Sequence, residues 1–221
     1  MDEIFSIFRE EFGNVIDHRP ASALTLDYYK NKLPDRLINH WKKHGWSGYG
    51  DGRFWLVNPQ EYECVVAAWL NGTPLEQLDT YHLFARDAFG TLYLWGERTG
   101  PSLTIVSIYS QYNFDDLELT SQDRENDFQH FLLVQDKESS DFCDCFEKTM
   151  KRLGTLAHDE MYGFVPAVLL GGSDDPDHLQ KVKVIEHLTL LAQLETLRPY
   201  GFSDPLPLGR LMPTLDKNTE N

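Results

Sequence analysis

The amino-acid sequence predicts an α+β protein, with N-terminal helices plus an antiparallel sheet followed by a smaller, mostly helical C-terminal domain. Two observations carry this prediction. Within residues 1–110, apolar residues first recur at helical spacing and then form short runs separated by turn residues. After an acidic middle region the helical spacing returns. Helices followed by a run of strands are typical of α+β proteins and not of alternating βαβ units.

Three helices are predicted in the N-terminal part. Residues 3–12 alternate apolar and charged groups at helical spacing. A second helix begins near Pro34 and ends before Gly45, which follows the usual preference of proline for the first turn and glycine for the end. Asn58-Pro59 opens a third helix, which ends at Asn71-Gly72.

Strands are predicted where apolar runs lie between turns. The segment GWSGYGDG (45–52) is rich in turn residues. The predicted strands are RFWLV (53–57), YHLFAR (81–86), GTLYLWGE (90–97) and SLTIVSIYS (102–110). Hairpin-length turns separate the last three, so they should form an antiparallel meander.

The second half of the chain is organised around an acidic connector that we expect to be a linker or loosely helical. Helical spacing resumes near Ser139 and ends at Gly154. Residues 178–197 alternate briefly and then continue as a helix. We expect four segments: a first domain (1–112), an acidic connector (113–140), a C-terminal domain (141–200) and a surface or disordered tail (201–221).

The charge is strongly negative and unevenly distributed. The formal net charge is −15, and residues 115–147, here called the acidic belt, hold eleven acids against Arg124 and Lys137. This surface repels phosphate backbones, so we expect no direct nucleic-acid binding. It would attract a basic protein. A solvated face without a partner is the alternative interpretation of the same charge.

Targeting and redox signals predict a cytoplasmic protein. The acidic N-terminus has no basic start followed by an apolar core, and no apolar run is long enough to span a membrane. Three cysteines, Cys64, Cys143 and Cys145, are an odd number without a framework spacing, which suits a reducing compartment.

The segment HDEMYGFVPAVLLGG (158–172) is the main candidate for chemistry. Its acidic start could join Glu186 and His187 in a zinc or iron site. The chain has neither a His-Glu-x-x-His motif nor a Pro-Cys-x-x-Cys after Pro166, so capping or loop-anchoring carboxylates are favoured. Cys143 and Cys145, on a predicted helix, would point about 200° apart and could not share an ion.

The remaining motifs also fail to assemble a catalytic site. The sequence contains no Gly-x-Ser-x-Gly, P-loop or dinucleotide fingerprint. We therefore expect a protein that is not an enzyme, with no catalytic residues, no metal ligands and no cofactor. In the segment 158–172 we expect Asp159 and Glu160 at a helix start, Tyr162, Phe164 and Val165 packed inward, and a turn at Gly171-Gly172.

Two pairs of motifs resemble known domains. WKKHGWSGYGDGRFWLVNPQEY (41–62) with ARDAFGTLYLWGE (85–97) resembles the GAD-like domain. LGTLAHDEMYGFVPAVLLGG (153–172) with LQKVKVIEHLTLLAQL (179–194) resembles the C-terminal half of immunity proteins against DNase toxins of bacterial type VI secretion. Together they cover about 190 of the 221 residues. The resemblance implies an immunity protein that binds a cognate secreted nuclease toxin and neutralises it.

The resemblance does not locate the toxin contacts, so candidates are chosen by chemistry. An acidic surface can occupy the basic cleft of a nuclease, and aromatic side chains beside it can serve as anchors. The candidate toxin-binding residues are Tyr109, Tyr112, Phe114, Asp115, Asp116, Glu118, Asp123, Glu125 and Asp127.

Two alternatives stay open at this point. One is a metal-dependent hydrolase that uses His158, Asp159, Glu160, Glu186 and His187. The other is a structural or regulatory binding module of the same fold without a toxin partner. The sequence does not determine the oligomeric state.

Overall fold

The computed structural model describes residues 3–115 and 121–200. The helices are α1 (Glu3–Phe12), α2 (Ala23–Tyr29), α3 (Asp35–His44), α4 (Glu63–Leu70), α5 (Pro74–Leu78), α6 (Ser121–Leu133), α7 (Phe146–Leu153) and α8 (Val184–Leu194). The strands are β1 (Val15–Arg19), β2 (Trp46–Tyr49), β3 (Phe54–Leu56), β4 (Tyr81–Asp87), β5 (Thr91–Gly96), β6 (Gly100–Val106), β7 (Gln111–Phe114), β8 (Glu160–Phe164), β9 (Leu179–Lys183) and β10 (Arg198–Pro199). None of the described helices has the length and apolar character needed to cross a bilayer.

Strands β1 to β7 form an antiparallel meander in chain order, and β10 extends the sheet by pairing in parallel with β7. β8 and β9 form a separate antiparallel hairpin. The backbone N–H of Tyr162 in β8 donates to the carbonyl of Ala88 at 2.8 Å and so ties the hairpin to the sheet. The predicted α+β class, with a smaller and more helical C-terminal part, is confirmed.

The sheet is covered on both faces. Side chains alternate along β3, so Phe54 and Leu56 point to one face and Trp55 points to the other. Helices α1, α3 and α6 pack on the side of Phe54, which we call the first face. Helices α4 and α8 and the β8–β9 hairpin pack on the side of Trp55, the second face.

The core of the second face is built by both halves of the chain. Trp55 and Leu83 from the sheet belong to the same hydrophobic cluster as Phe146, Tyr162 and Leu188 from the C-terminal part, and all five are buried. Helix α8 also contacts α4 directly. The C-terminal part therefore completes the core of the sheet and does not build a core of its own.

The structure of the acidic belt differs from expectation in two places, at helix α6 and at the start of α7. Helix α6 packs on the first face because Phe128, Phe131 and Leu132 fall at helical spacing and are all buried. The helix predicted from Ser139 begins only at Phe146, and this part of the prediction is wrong.

The backbone before α7 explains the late start of that helix. Cys143 and Asp144 have positive φ angles of 51° and 53° and therefore precede the helix. The Asp141 carboxylate accepts the backbone N–H groups of Cys145 and Phe146, at 3.1 and 2.9 Å, and so caps the first turn. The placement of Cys143 and Cys145 on one helix is consequently also wrong.

The turn-rich segment 45–52 contains an unexpected strand. β2 forms there because Gly48 lies directly against the ring of Trp55, where a Cβ would approach to 2.8 Å. Gly45 has a φ of 60° and ends α3. The strand predicted over 102–110 ends at Val106, because a 3₁₀ turn follows and Ser110 adopts a left-handed conformation.

His40 is a buried, neutral imidazole in the first-face core. Its ring lies edge-on to Phe5, with ring centroids 4.5 Å apart, and packs against Phe128 and His44. Among the described residues, neither ring nitrogen has a hydrogen-bond partner. Burial, reinforced by the nearby His44 and Lys43 charges, lowers the pKa of His40 to about 3.

Acid is therefore expected to destabilise the protein through His40. In the unfolded chain, the His40 imidazole binds a proton below about pH 6.5. In the folded chain it stays neutral down to about pH 3. The loss of stability therefore grows as the pH falls from about 6.5 to about 3. Between pH 7.5 and 5.0 the expected loss is about 2 kcal/mol. Urea unfolding at both pH values should show that His40→Phe removes this loss, while the exposed His178→Phe leaves it in place. Equal pH dependence in wild type and His40→Phe would contradict this account.

Candidate functional site

The segment 158–172 lies where the C-terminal part meets the sheet. Glu160 begins strand β8, so the predicted helix start at Asp159–Glu160 is wrong. Tyr162 and Phe164 are buried as predicted. Val165 is 48% exposed, contrary to the prediction, because β8 ends at Phe164 and Val165 lies in the bend that follows. The turn at Gly171–Gly172 is confirmed, with Gly171 at a φ of 84°.

The side chain of Arg86 binds backbone carbonyls at the start of the segment 158–172. The residue is fully buried. Its Nη2 donates to the carbonyl oxygens of His158 and Glu160, at 2.9 and 3.0 Å. Nε donates to the Tyr62 hydroxyl at 3.0 Å, and Nη1 donates to the Asp87 carbonyl at 3.1 Å. Two of these four hydrogen bonds thus join the sheet to residues 158–160, here called the His-Asp-Glu segment.

The side chains of the His-Asp-Glu segment have separate partners. His158 Nδ1 lies 2.9 Å from Asp17 Oδ2, and Lys183 Nζ lies 2.5 Å from Asp159 Oδ2. Partial burial alone would raise the pKa of Asp17, but hydrogen bonds from the backbone and ring of His158 outweigh it and hold that pKa below its ordinary value. The hydrogen bond from Lys183 likewise lowers the pKa of Asp159. These contacts anchor the segment.

The residues of the metal-site hypothesis do not converge. Glu186 is exposed on α8, whereas His187 lines a small, mostly apolar cavity of about 10 Å³ under the hairpin. Burial lowers the pKa of His187. Within residues 3–115 and 121–200, no group of three or more His, Cys, Asp or Glu side chains is arranged to hold a metal ion. The hydrolase alternative therefore lacks a ligand cluster.

Part of the acidic belt serves the fold. Arg53, which is 7% exposed, pairs with Asp141 at 2.5 Å and with Glu147 at 3.2 Å. Glu125 accepts the backbone N–H groups of Asp35 and Arg36, both at 3.1 Å, at the N-terminus of α3. A carboxylate is stabilising at this end of a helix. The acidic charge available to a partner is thus smaller than the sequence count.

The other predicted acidic contacts differ in exposure. Asp115 and Asp123 are exposed, whereas Asp127 is 8% exposed on α6. Asp116 and Glu118 lie outside the described residues. Toxin contact by any of these residues stays a prediction.

The predicted aromatic anchors lie mostly inside the protein. Tyr112 is 5% exposed and belongs to the second-face core. Tyr109 and Phe114 are half-buried against the same core, and the Tyr109 hydroxyl donates to Asp174 Oδ2 at 3.3 Å. Their role as anchors also stays a prediction, and they present limited ring area for it.

Two family comparisons cover most of the chain. Residues 3–109 match the GAD-like domain. Residues 125–195 match the C-terminal domain of the T6SS immunity protein Tdi1. The chain therefore carries a GAD-like domain over residues 3–109 and a T6SS Tdi1 C-terminal immunity domain over residues 125–195. The predicted family resemblance is confirmed, and the C-terminal match supports an immunity-protein role.

The fold of this chain also occurs in a solved structure. The crystal structure of Atu4351 from Agrobacterium tumefaciens superposes on this chain with a TM-score of 0.81 and is 22% identical in sequence. The matched region covers 93% of this chain and 94% of the Atu4351 chain. At this identity the likeness shows the fold alone. No curated protein matches the chain.

The two domain matches show that Arg86 connects one domain to the other. Sequence reasoning did not identify this residue. Arg86 lies in the ARDAFG motif of the GAD-like domain, and the carbonyls of His158 and Glu160 lie in the Tdi1 C-terminal domain. A signal was present in the sequence: Arg86-Asp87 interrupts a strongly apolar strand region, and buried charges require partners. A side chain of the GAD-like domain thus holds the main chain of the Tdi1 C-terminal domain.

Proposed function

We propose that this immunity protein binds a cognate secreted nuclease toxin, a DNase, and neutralises it by occluding the basic cleft that binds DNA. The match of residues 125–195 to the T6SS immunity protein Tdi1 C-terminal domain carries the proposal. The partner is a protein, and the immunity protein makes no direct contact with nucleic acid. It acts in the cytoplasm of the cell that holds both genes.

The charge of the chain supports a basic partner. The formal net charge is −15, and exposed carboxylates include Asp115, Asp123, Glu138 and Asp144. A nuclease that grips DNA needs a basic surface, because phosphate contacts supply most of its affinity for DNA. Complementary charge would steer the two proteins together and speed their association.

The proposed mechanism is steric and electrostatic. Asp17 and Lys183 hold the side chains of His158 and Asp159, so the His-Asp-Glu segment is proposed to support the binding surface and to perform no reaction. The proposed contacts stay those chosen by chemistry: Tyr109, Tyr112, Phe114, Asp115, Asp116, Glu118, Asp123, Glu125 and Asp127.

The test is co-expression with the product of the adjacent gene. We expect the two proteins to copurify, and we expect DNA cleavage by the neighbour to fall to background in the complex. Raising the salt concentration should weaken the complex, because exposed charges are screened. A neighbour that is not toxic, or a complex that still cleaves DNA at the full rate, would contradict the proposal.

A further inference from the structure

A groove runs along the first face between α6 and strands β5 and β6. Its volume is about 440 Å³, within the range of about 300–1,000 Å³ that is common for pockets that bind small ligands. Tyr93 and Pro101 line it from the sheet, and Phe131 and Val134 line it from α6. Its walls are therefore largely apolar.

Two carboxylates stand at this apolar groove. Asp115, just after β7, and Asp127 on α6 both line it, and His130 lies one helical turn beyond Asp127. The described residues that line the groove include neither lysine nor arginine. Apolar walls with net negative charge suit an organic cation, which needs both an apolar surface and a counter-charge.

Asp127 lies at the groove with a buried carboxylate oxygen to which no described residue donates. Only 8% of this residue is exposed, and its Oδ2 has no hydrogen-bond partner among the described residues. Burial raises the pKa of Asp127. A buried carboxylate oxygen without a donor is unfavourable, so its presence calls for an explanation. Because the carboxylate rotates readily about its last bond, either oxygen can meet a donor in the groove.

We propose that this groove receives an arginine side chain of the basic partner, with Asp127 and Asp115 as its acceptors. That the partner is the toxin rests on the proposed function. Arginine fits better than lysine because its planar guanidinium offers five donors in a fixed arrangement and stacks on aromatic rings such as Tyr93 and Phe131. Its methylene chain would lie along Pro101 and Val134.

The groove can be tested without the toxin. The full chain is titrated with N-acetyl-arginine methylamide and followed by backbone NMR. We expect saturable shifts at the amides of His130, Phe131 and Gln135, which N-acetyl-citrulline methylamide, uncharged but of the same shape, produces at least about 10-fold more weakly. Asp127→Asn should abolish the difference. Equal shifts with both probes, or shifts outside the groove, would overturn the proposal, and equal binding of the lysine analogue would overturn the choice of arginine.

The role of the groove in the complex is tested with Asp127→Asn and, as a control outside the proposed contacts, the exposed Glu186→Gln on α8. We expect Asp127→Asn to weaken toxin binding about 10-fold and to raise Tm by about 2–4 °C, because an unpaired buried charge is removed. Glu186→Gln should do neither. A residue with only a structural role would not lose binding while gaining stability.

The outcomes separate the two proposals. If the wild-type protein fails to bind or inhibit its neighbour, the proposed function fails and the arginine titration still decides whether the groove takes a guanidinium. If the wild type binds and Asp127→Asn binds equally well, the groove is not a toxin contact and the proposed function stands.

Discussion

Arg86→Leu is expected to lower the free energy of unfolding by about 3–5 kcal/mol. The substitution leaves four acceptors without their donor: the Tyr62 hydroxyl and the carbonyls of Asp87, His158 and Glu160. Leucine also leaves space where the guanidinium lay 5.0 Å from the Trp55 ring. Urea unfolding at pH 7.5, followed by tryptophan fluorescence, measures the loss.

The control for this prediction is Arg9→Leu. Arg9 is exposed on α1, and exposed substitutions usually change stability by less than about 0.5 kcal/mol. The two variants change net charge equally, so they separate the loss of the buried hydrogen bonds from the loss of a positive charge. Similar unfolding midpoints for both variants would show that Arg86 does not tie the GAD-like domain to the C-terminal domain.

The double variant Asp115→Lys with Asp123→Lys is expected to bind the toxin about 100-fold more weakly, and with a smaller dependence on salt. Both residues are exposed on the side of the sheet that carries α6, so reversing them turns attraction into repulsion at the proposed contact. Isothermal titration calorimetry at low and high salt measures the change, after circular dichroism has shown that the variant is folded.

A charge-matched control distinguishes a local contact from a general effect of net charge. Glu63→Lys with Glu186→Lys makes the same change in charge on α4 and α8, which cover the opposite face of the sheet. We expect this control to retain affinity within about threefold. If both double variants weaken binding equally, the side carrying α6 is not the interface.

Sequence reasoning predicted those parts of the fold that depend on residues close together in the sequence. The stripe of Phe5, Phe8 and Phe12 predicts α1, and hairpin-length turns between apolar runs predict β4 to β6. β2 was missed because Gly48 signals a turn unless the ring of Trp55, seven residues further along the chain, is known to cover it. Helical spacing was extended too far toward Ser139, since the cap at Asp141 depends on a folded loop.

The same distinction applies to the candidate site. Asp115 and Asp127 could be named as candidates because a run of acids is visible in the sequence, and their contact with a toxin stays a prediction. The sequence could not show that Glu125 caps α3, or that Arg53 pairs with Asp141, because these partners lie 90 and 88 residues apart. Nor could it show a groove, which exists only when α6 lies beside β5 and β6.

The hydrophobic cluster on the second face has a consequence for how such proteins can exchange parts. The GAD-like and Tdi1 C-terminal regions are recognisable as separate units, yet Trp55 and Leu83 of one pack with Phe146 and Leu188 of the other. Recombination could join the N-terminal unit of one family member and the C-terminal unit of another. The hybrid would have to preserve the side-chain volumes where the two units pack together. New partner specificity is therefore more accessible through substitutions of exposed residues than through shuffling of whole domains.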